Sequence, residues 1–210
     1  MRKIGIFGGS FDPVHFGHLR PALEVLEALS LDSMRFIPSG QPPHRGAPQA
    51  TATARLAMLQ AAVAEEPRFQ VDERELKRAT PSYTFDTLAE LKAEHPRDRL
   101  VLMLGLDAFL GFTTWHRWKE ILDLAHLVVA HRPGSALEAH GESAMLVQER
   151  EVDDVQALMA HAAGKIMLQP VTQLEISSSQ VREAVARGAD IRYLVPDAVR
   201  RVIQDSKCYA

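Results

Sequence analysis

Two histidines three residues apart, His15 and His18, follow a pair of glycines and open a helix-like stretch, and here the chain is best equipped for chemistry. The segment runs Gly8-Gly9-Ser10-Phe11-Asp12-Pro13-Val14-His15-Phe16-Gly17-His18. Glycines after a strand let backbone approach a bound group closely, and the following helix offers unpaired amides and the positive end of its dipole to an anion. At a spacing of three, both imidazoles share one helix face at that terminus. Gly17 between them costs a helix about 1 kcal/mol relative to alanine, which makes sense if a side chain there would block a ligand. The plainer alternative makes Gly8-Gly9 a tight turn, Asp12-Pro13 a helix start with proline at its first position, and the histidines surface residues. The coincidence of these choices in so short a run favours phosphate binding. Histidines at i and i+3 can also ligate zinc, but no nearby Cys, HExxH motif or third ligand completes a metal site. The segment is neither GxxxxGK[ST] nor GxGxxG, so kinase and dehydrogenase readings lose their usual support.

A second candidate site is Ile176-Ser177-Ser178-Ser179-Gln180-Val181-Arg182. Ser177 with Gln180 forms a capping box and Ile176 with Val181 a hydrophobic staple, so helix initiation explains four of these residues. It leaves Arg182 over. A cation in the early turns of a helix opposes the macrodipole, whereas a bound polyphosphate reverses the sign and uses the arginine, the serine hydroxyls and the free amides together.

Both segments need a frame, and alternating strand-like and helix-like stretches supply one. Lys3 to Phe7 reads as a buried strand, and Leu19, Ala22, Leu23, Leu26 and Leu29 mark an amphipathic helix over Phe16 to Ser30. A strand at Met34 to Pro38, a Pro-rich loop from Ser39 to Gln49, a helix near Thr53 to Ala64 and a short apolar run at Phe69 to Val71 follow. Phe85, Leu88 and Leu91 mark a helix stopped before Pro96. Leu100 to Leu104 and His126 to Ala130 are continuous apolar runs suited to interior strands covered on both faces. Pro133 to His161 carries one weak helical pattern, Val152, Val155, Leu158 and Met159, and reads as a surface elaboration. A strand at Lys165 to Leu168, a helix from about Ser178 to Arg187 and a closing helix begun by Pro196 complete the pattern. The fold class expected is α/β: a Rossmann-like, doubly wound, mostly parallel sheet with helices on both faces. It forms one domain over 1–210, with a core over 1–175, the elaboration near 134–164 and a helical segment over 176–210. In such a sheet the His15 segment, between first strand and first helix, lies where ligands bind.

Composition narrows the function classes. With 210 residues and a net charge of −3, the chain is long enough for a real core and gives no field for gripping a nucleic-acid duplex. No apolar stretch approaches the ~20 residues of a membrane helix, and the run after Met1-Arg2-Lys3 is too short for a signal peptide. A single cysteine, Cys208, excludes an intrachain disulfide, so a reduced cytoplasm is the default location. The expected partners are small molecules, without nucleic acid or membrane; a homo-oligomer stays open.

Gly9 to His18 followed by Ile176 to Arg182 resembles the paired HxGH and ISSTxIR signatures of a nucleotidyltransferase superfamily. Within it the chain resembles the bacterial nicotinate mononucleotide adenylyltransferases. Supporting stretches in the family's order are Pro42-Pro43-His44-Arg45, Asp72-Glu73-Arg74-Glu75-Leu76, Pro81-Ser82-Tyr83-Thr84, Gly105-Leu106-Asp107, Thr114-Trp115 and Arg132-Pro133-Gly134. The departures are Ser179 and Val181, where the family usually has Thr and Ile, and His116, where an aromatic is common. The resemblance implies that ATP and nicotinate mononucleotide, with magnesium, give deamido-NAD and pyrophosphate in NAD biosynthesis. It makes His15, His18 and Arg182 catalytic and places Gly8, Gly9, Ser10, Ser178 and Ser179 with them around ATP. For the mononucleotide it implies Ser10 and Phe11 through backbone, and His44 and Arg45 at the 5′-phosphate. Trp115 stacks on the pyridine ring, the amides of Thr84 and His116 meet the carboxylate beside Tyr83 and Gly105, Asp107 meets a ribose hydroxyl, and Arg132 faces a phosphate. Each has a plain alternative: an exposed loop for His44-Arg45, packing for Trp115, a helix start for Tyr83-Thr84, a helix cap for Asp107, a solvated side chain for Arg132.

Two anionic substrates on an acidic chain require the positive groups to concentrate at His15, His18, His44, Arg45, Arg132, Arg182 and helix termini. The rival readings are the same fold acting on nicotinamide mononucleotide or another acceptor such as phosphopantetheine, and a nucleotide-binding regulator without turnover. Phosphopantetheine enzymes of the superfamily are typically shorter and carry threonine at the first histidine's place, so His15 and the Trp115 region argue against that acceptor. The presence of both histidines and the arginine weakens the regulator.

Overall fold

The computed structural model describes residues 1–42, 46–134 and 141–210. Strand and helix alternate through β1 (Lys3–Gly9), α1 (Phe16–Ala28), β2 (Ser33–Pro38), α2 (Ala52–Val63), β3 (Phe69–Val71), α3 (Arg74–Lys77), α4 (Thr84–Glu94), β4 (Arg99–Gly105) and α5 (Leu106–Leu110). They continue through a 3-10 turn (Phe112–Thr114), α6 (Trp118–Leu124), β5 (His126–His131), α7 (Glu142–Arg150), α8 (Val155–Ala160), β6 (Ile166–Pro170), α9 (Ser178–Ala186) and α10 (Asp197–Ser206). The strands form one parallel sheet in the order β3-β2-β1-β4-β5-β6. The expected doubly wound parallel sheet is present, and its order puts the switch point, where the winding reverses direction, between β1 and β4. Among the described residues no helix is long and apolar enough to cross a membrane.

The chain divides into two compact units. The first holds Met1–Phe7, Ala22–Met34 and Tyr83–Thr172. Here the apolar runs do what interior strands require: Val101, Leu127, Val128 and Val129 are all buried, and β4 pairs with β5 in the register Leu102 to Leu127 and Met103 to Val128. The stretch expected as an elaboration contains α7 and α8, which bury Leu146 and Leu158, while 135–140 lies outside the described residues.

The second unit holds Gly8–Pro21, Arg35–Ser82 and Gln173–Ala210. Its core stacks Phe11 on Phe36 at 5.9 Å between ring centroids and Phe36 on Phe69 at 4.9 Å, beside buried Met58 and Leu59 of α2. Helix α10 begins after Pro196, as its sequence suggests, and packs Val199 and Ile203 inward. Gly8 and Gly9 prove to be the last residues of β1 rather than a tight turn, and α1 starts at Phe16 rather than at Pro13.

Candidate active site

In the second unit, the segment after β1 is fastened from several sides. Arg55 of α2, 2% exposed, donates from Nη1 to the Ser10 carbonyl at 2.7 Å and from Nη2 to the Ser39 carbonyl at 2.8 Å. Asp12 precedes a cis proline, and its carboxylate accepts from the amides of Gln49 at 2.8 Å and Ala50 at 3.1 Å and from the Tyr209 hydroxyl at 2.7 Å. A buried carboxylate is tolerated only with its lone pairs occupied, and this one answers the buried charge of Arg55 as well. Phe11 takes a positive φ of 47° and buries its ring edge-on to His18, at 5.2 Å.

The two histidines do meet, although His15 lies just before α1 rather than on its face. Their ring centroids are 3.8 Å apart, and the His15 amide donates to His18 Nδ1 at 3.3 Å. That acceptor role leaves the proton of a neutral His18 on Nε2. His15 is 5% exposed, and burial pushes its pKa down to about 4. It is therefore a neutral donor at pH 7, and the expectation that it contributes positive charge is corrected: a cation there would carry an unpaid desolvation cost. Its buried Nδ1 has no hydrogen-bond partner among the described residues. Gly17 is explained by packing, since a Cβ there would lie 2.9 Å from His15 Nδ1 and 3.0 Å from the Ile176 carbonyl oxygen. At Gly8 a Cβ would meet nothing within 4 Å among the described residues.

Helix α9 starts as its sequence dictates, with Ser177 as N-cap and a complete capping box with Gln180. Arg182 is not left over, however. Its Nη1 donates to the Asp12 carbonyl at 2.7 Å and its Nη2 to Ser179 Oγ at 3.1 Å, while Nη1 stands 3.9 Å from Asp12 Oδ2. Ser178 Oγ donates to the Pro13 carbonyl at 2.9 Å, so its proton is already committed, and only Ser179 of the two keeps a hydroxyl proton to offer elsewhere. The arginine's Nε is buried without a hydrogen-bond partner among the described residues. Both signature segments are thus tied to the Asp12-Pro13 turn. Sequence reasoning gave Asp12 no role and missed Arg55 and Tyr209. A charge inside the apolar stretch of α2 is a signal for Arg55; no local pattern marks Tyr209.

The first unit carries the other candidates. Tyr83 is the N-cap residue of α4 without a side-chain cap, and its ring lies 4.4 Å from that of His116, tilted by 34°. Thr84 opens α4, so its amide is among those without an intrahelical acceptor. Trp115, half-buried, packs against Phe112 at 5.6 Å, and its amide donates to the Phe112 carbonyl. Gly105 ends β4 and is the N-cap of α5; Asp107 is an exposed second residue of that helix and not its cap, which removes the plain alternative for it. Arg132 is exposed just after β5. His44 and Arg45 lie outside the described residues. Among the described residues no three His, Cys, Asp or Glu side chains converge as metal ligands.

A doubly wound parallel sheet whose first strand leads into a glycine, imidazole and helix-terminus segment defines a nucleotide-handling α/β protein. Comparison with known proteins narrows the class. Residues 6–184 match the family described as Cytidylyltransferase-like. A protein of Pseudomonas syringae pv. tomato named "Probable nicotinate-nucleotide adenylyltransferase" is 51% identical over 199 residues, covering 94% of this chain and 89% of its own. One of the same name from Dechloromonas aromatica is 48% identical over 210 residues, covering 98% and 97%. The structure of Plasmodium falciparum nicotinic acid mononucleotide adenylyltransferase complexed with NaAD superposes with a TM-score of 0.71 at 17% identity, covering 100% of this chain and 98% of that one, a likeness of fold alone. The chain belongs to the cytidylyltransferase-like family.

Proposed function

We propose that the protein transfers the adenylyl group of ATP to nicotinate mononucleotide, releasing pyrophosphate and forming deamido-NAD. The observation that carries this reading is the stacked His15–His18 pair, 3.8 Å apart, fastened to the same turn as Arg182. A phosphate monoester is already anionic near neutral pH, so the attack of the mononucleotide's 5′-phosphate on the α-phosphorus needs no general base. Alignment and charge neutralisation remain, as in phosphoryl transfer generally. His15, as a neutral imidazole, and His18 donate to oxygens of ATP, and Arg182, with Ser179 and the first amides of α9, holds the β- and γ-phosphates and the leaving pyrophosphate. Each such donor is worth roughly 3 kcal/mol in the transition state, by analogy with oxyanion-hole removals. Gly8, Gly9 and Ser10 line the approach of the nucleotide.

Magnesium enters as part of the substrate, on the phosphates of ATP, which suits an ion that keeps several waters and takes few protein ligands. Ser10, Phe11, His44 and Arg45 serve the mononucleotide, and the first unit supplies a separate set of candidates for it in Tyr83, Thr84, Gly105, Asp107, Trp115, His116 and Arg132. The strongest support for this acceptor is the name borne by relatives that are 51% and 48% identical across nearly the whole chain. The cytoplasm, where the thiol of Cys208 stays reduced, is the compartment. The test is pyrophosphate release from magnesium-ATP with nicotinate mononucleotide, nicotinamide mononucleotide or phosphopantetheine as acceptor. Release with the first at the highest kcat/KM is expected. Preference for another acceptor would overturn the substrate, and no release with any would leave a binding protein.

A further inference from the structure

Tyr209 follows α10 and reaches back into the second unit through two residues with positive φ, Lys207 at 51° and Tyr209 itself at 70°. Its hydroxyl donates to Asp12 Oδ1 at 2.7 Å, the oxygen that also accepts from the Ala50 amide, while Oδ2 accepts from the Gln49 amide. The main-chain carbonyl of the same aspartate receives Arg182 Nη1 at 2.7 Å, and the next carbonyl, Pro13, receives Ser178 Oγ at 2.9 Å. Asp12 is therefore a node joining the His15 segment, the approach to α2, the start of α9 and Tyr209. Two amides alone would hold the carboxylate in the plane of their own turn. The phenol adds a third donor from a separate element and so fixes the side-chain torsion, and with it the carbonyl to which the arginine is aimed. Burial, first, and then the neighbouring carboxylate raise the phenol's pKa, so it stays a donor at every working pH.

We propose that Tyr209 is a positioning residue for adenylyl transfer, holding Asp12 so that the turn between β1 and α1 presents His15, His18 and Arg182 in register. The proposal rests on the adenylyltransferase reading above. Tyr209→Phe keeps the ring and removes only the hydroxyl. Two measurements are made on it beside the wild-type protein: steady-state kinetics with magnesium-ATP and nicotinate mononucleotide, and nitrogen–proton correlation spectra of the histidine imidazoles and the Arg182 side chain without ligand. The expected result is a kcat lower by roughly tenfold or more at temperatures well below the melting transition, a KM for the mononucleotide within about twofold, shifted His15, His18 and Arg182 resonances, and an unfolding midpoint lower by about 3–12 °C, as one lost hydrogen bond to a buried carboxylate implies. In an Asp12→Ala background, which leaves no side-chain acceptor for the phenol, the same change should cost less than about twofold. Wild-type kcat with unmoved resonances would overturn the proposal. So would a kcat loss that tracks a lowered melting midpoint and disappears on cooling. If the wild-type protein itself transfers no adenylyl group, the adenylyltransferase reading falls, and the spectra alone decide whether Tyr209 sets the histidines and Arg182.

Discussion

Packing accounts for the missing side chain at Gly17 but not at Gly8, the glycine proposed to meet the nucleotide. A methyl group at Gly8 meets nothing within 4 Å among the described residues, whereas one at Gly17 presses on the His15 ring and the Ile176 carbonyl. Gly8→Ala should therefore keep its denaturant midpoint while KM for ATP rises about tenfold or more, since backbone approach to the nucleotide is what the methyl obstructs. Gly17→Ala should lose stability as well, by about 1–3 kcal/mol for overpacking. Equal stability losses in urea melts of the two variants would refute the contrast. Single residues were unevenly legible in sequence. His15 and His18 declared themselves by spacing, but the neutrality of His15 depends on burial by distant residues, which no spacing records. Arg182 looked unexplained by helix initiation because its acceptor, the Asp12 carbonyl, lies 170 positions away.

At the level of elements, the start of α9 carries the arginine. The Ser177 side chain accepts from the Gln180 amide and the Gln180 side chain from the Ser177 amide. Ser177→Ala should cost about 1 kcal/mol of stability and free the first turn, so that the KM for ATP rises while α10 keeps its amide protection in hydrogen exchange. Unchanged protection in residues 178–182 of that variant would sink the argument. Helices α1 and α4 were readable because apolar residues recur over two or more turns and the interior strands because they run unbroken through a strand's length, while the capping box marked the start of α9 and Pro196 that of α10. Helices α3, α5 and α6 were not. They have four to seven residues, too few to repeat an apolar stripe. In α7 the buried positions are Ser143 and Leu146, a stripe with a serine in it.

Across the whole molecule, two buried histidines make stability depend on pH. His15 and His126 are both pushed down to about 4, in each case first by burial, and the second sits at the start of β5 with its Nε2 on the His161 carbonyl. The unfolded chain binds these protons near pH 6.5, the folded chain only near 4, so stability is full above about pH 6.5 and falls as the pH drops toward 4. For His15 alone the loss approaches about 3 kcal/mol. Urea midpoints should drop between about pH 7 and about pH 4.5, and a midpoint constant over that range would contradict the buried neutral state. The parallel, doubly wound class was legible from alternation, because strands that run parallel need crossovers of helix length, whereas the strand order came from the structure. The grouping of residues into two compact units was not, since it follows from contacts between stretches far apart in the chain.

The bond between Tyr209 and Asp12 spans 197 positions. At a synthesis rate of about 5–20 residues per second, the turn that carries the histidines waits roughly 10–40 s after its own residues are made before its last donor exists. During that interval the histidine segment is present in a growing chain while its aspartate lacks the phenol throughout and the arginine until residue 182 is made. Completion of the hydrogen bonds around Asp12 is thus an event late in the synthesis of each chain, timed by the distance between two residues in sequence.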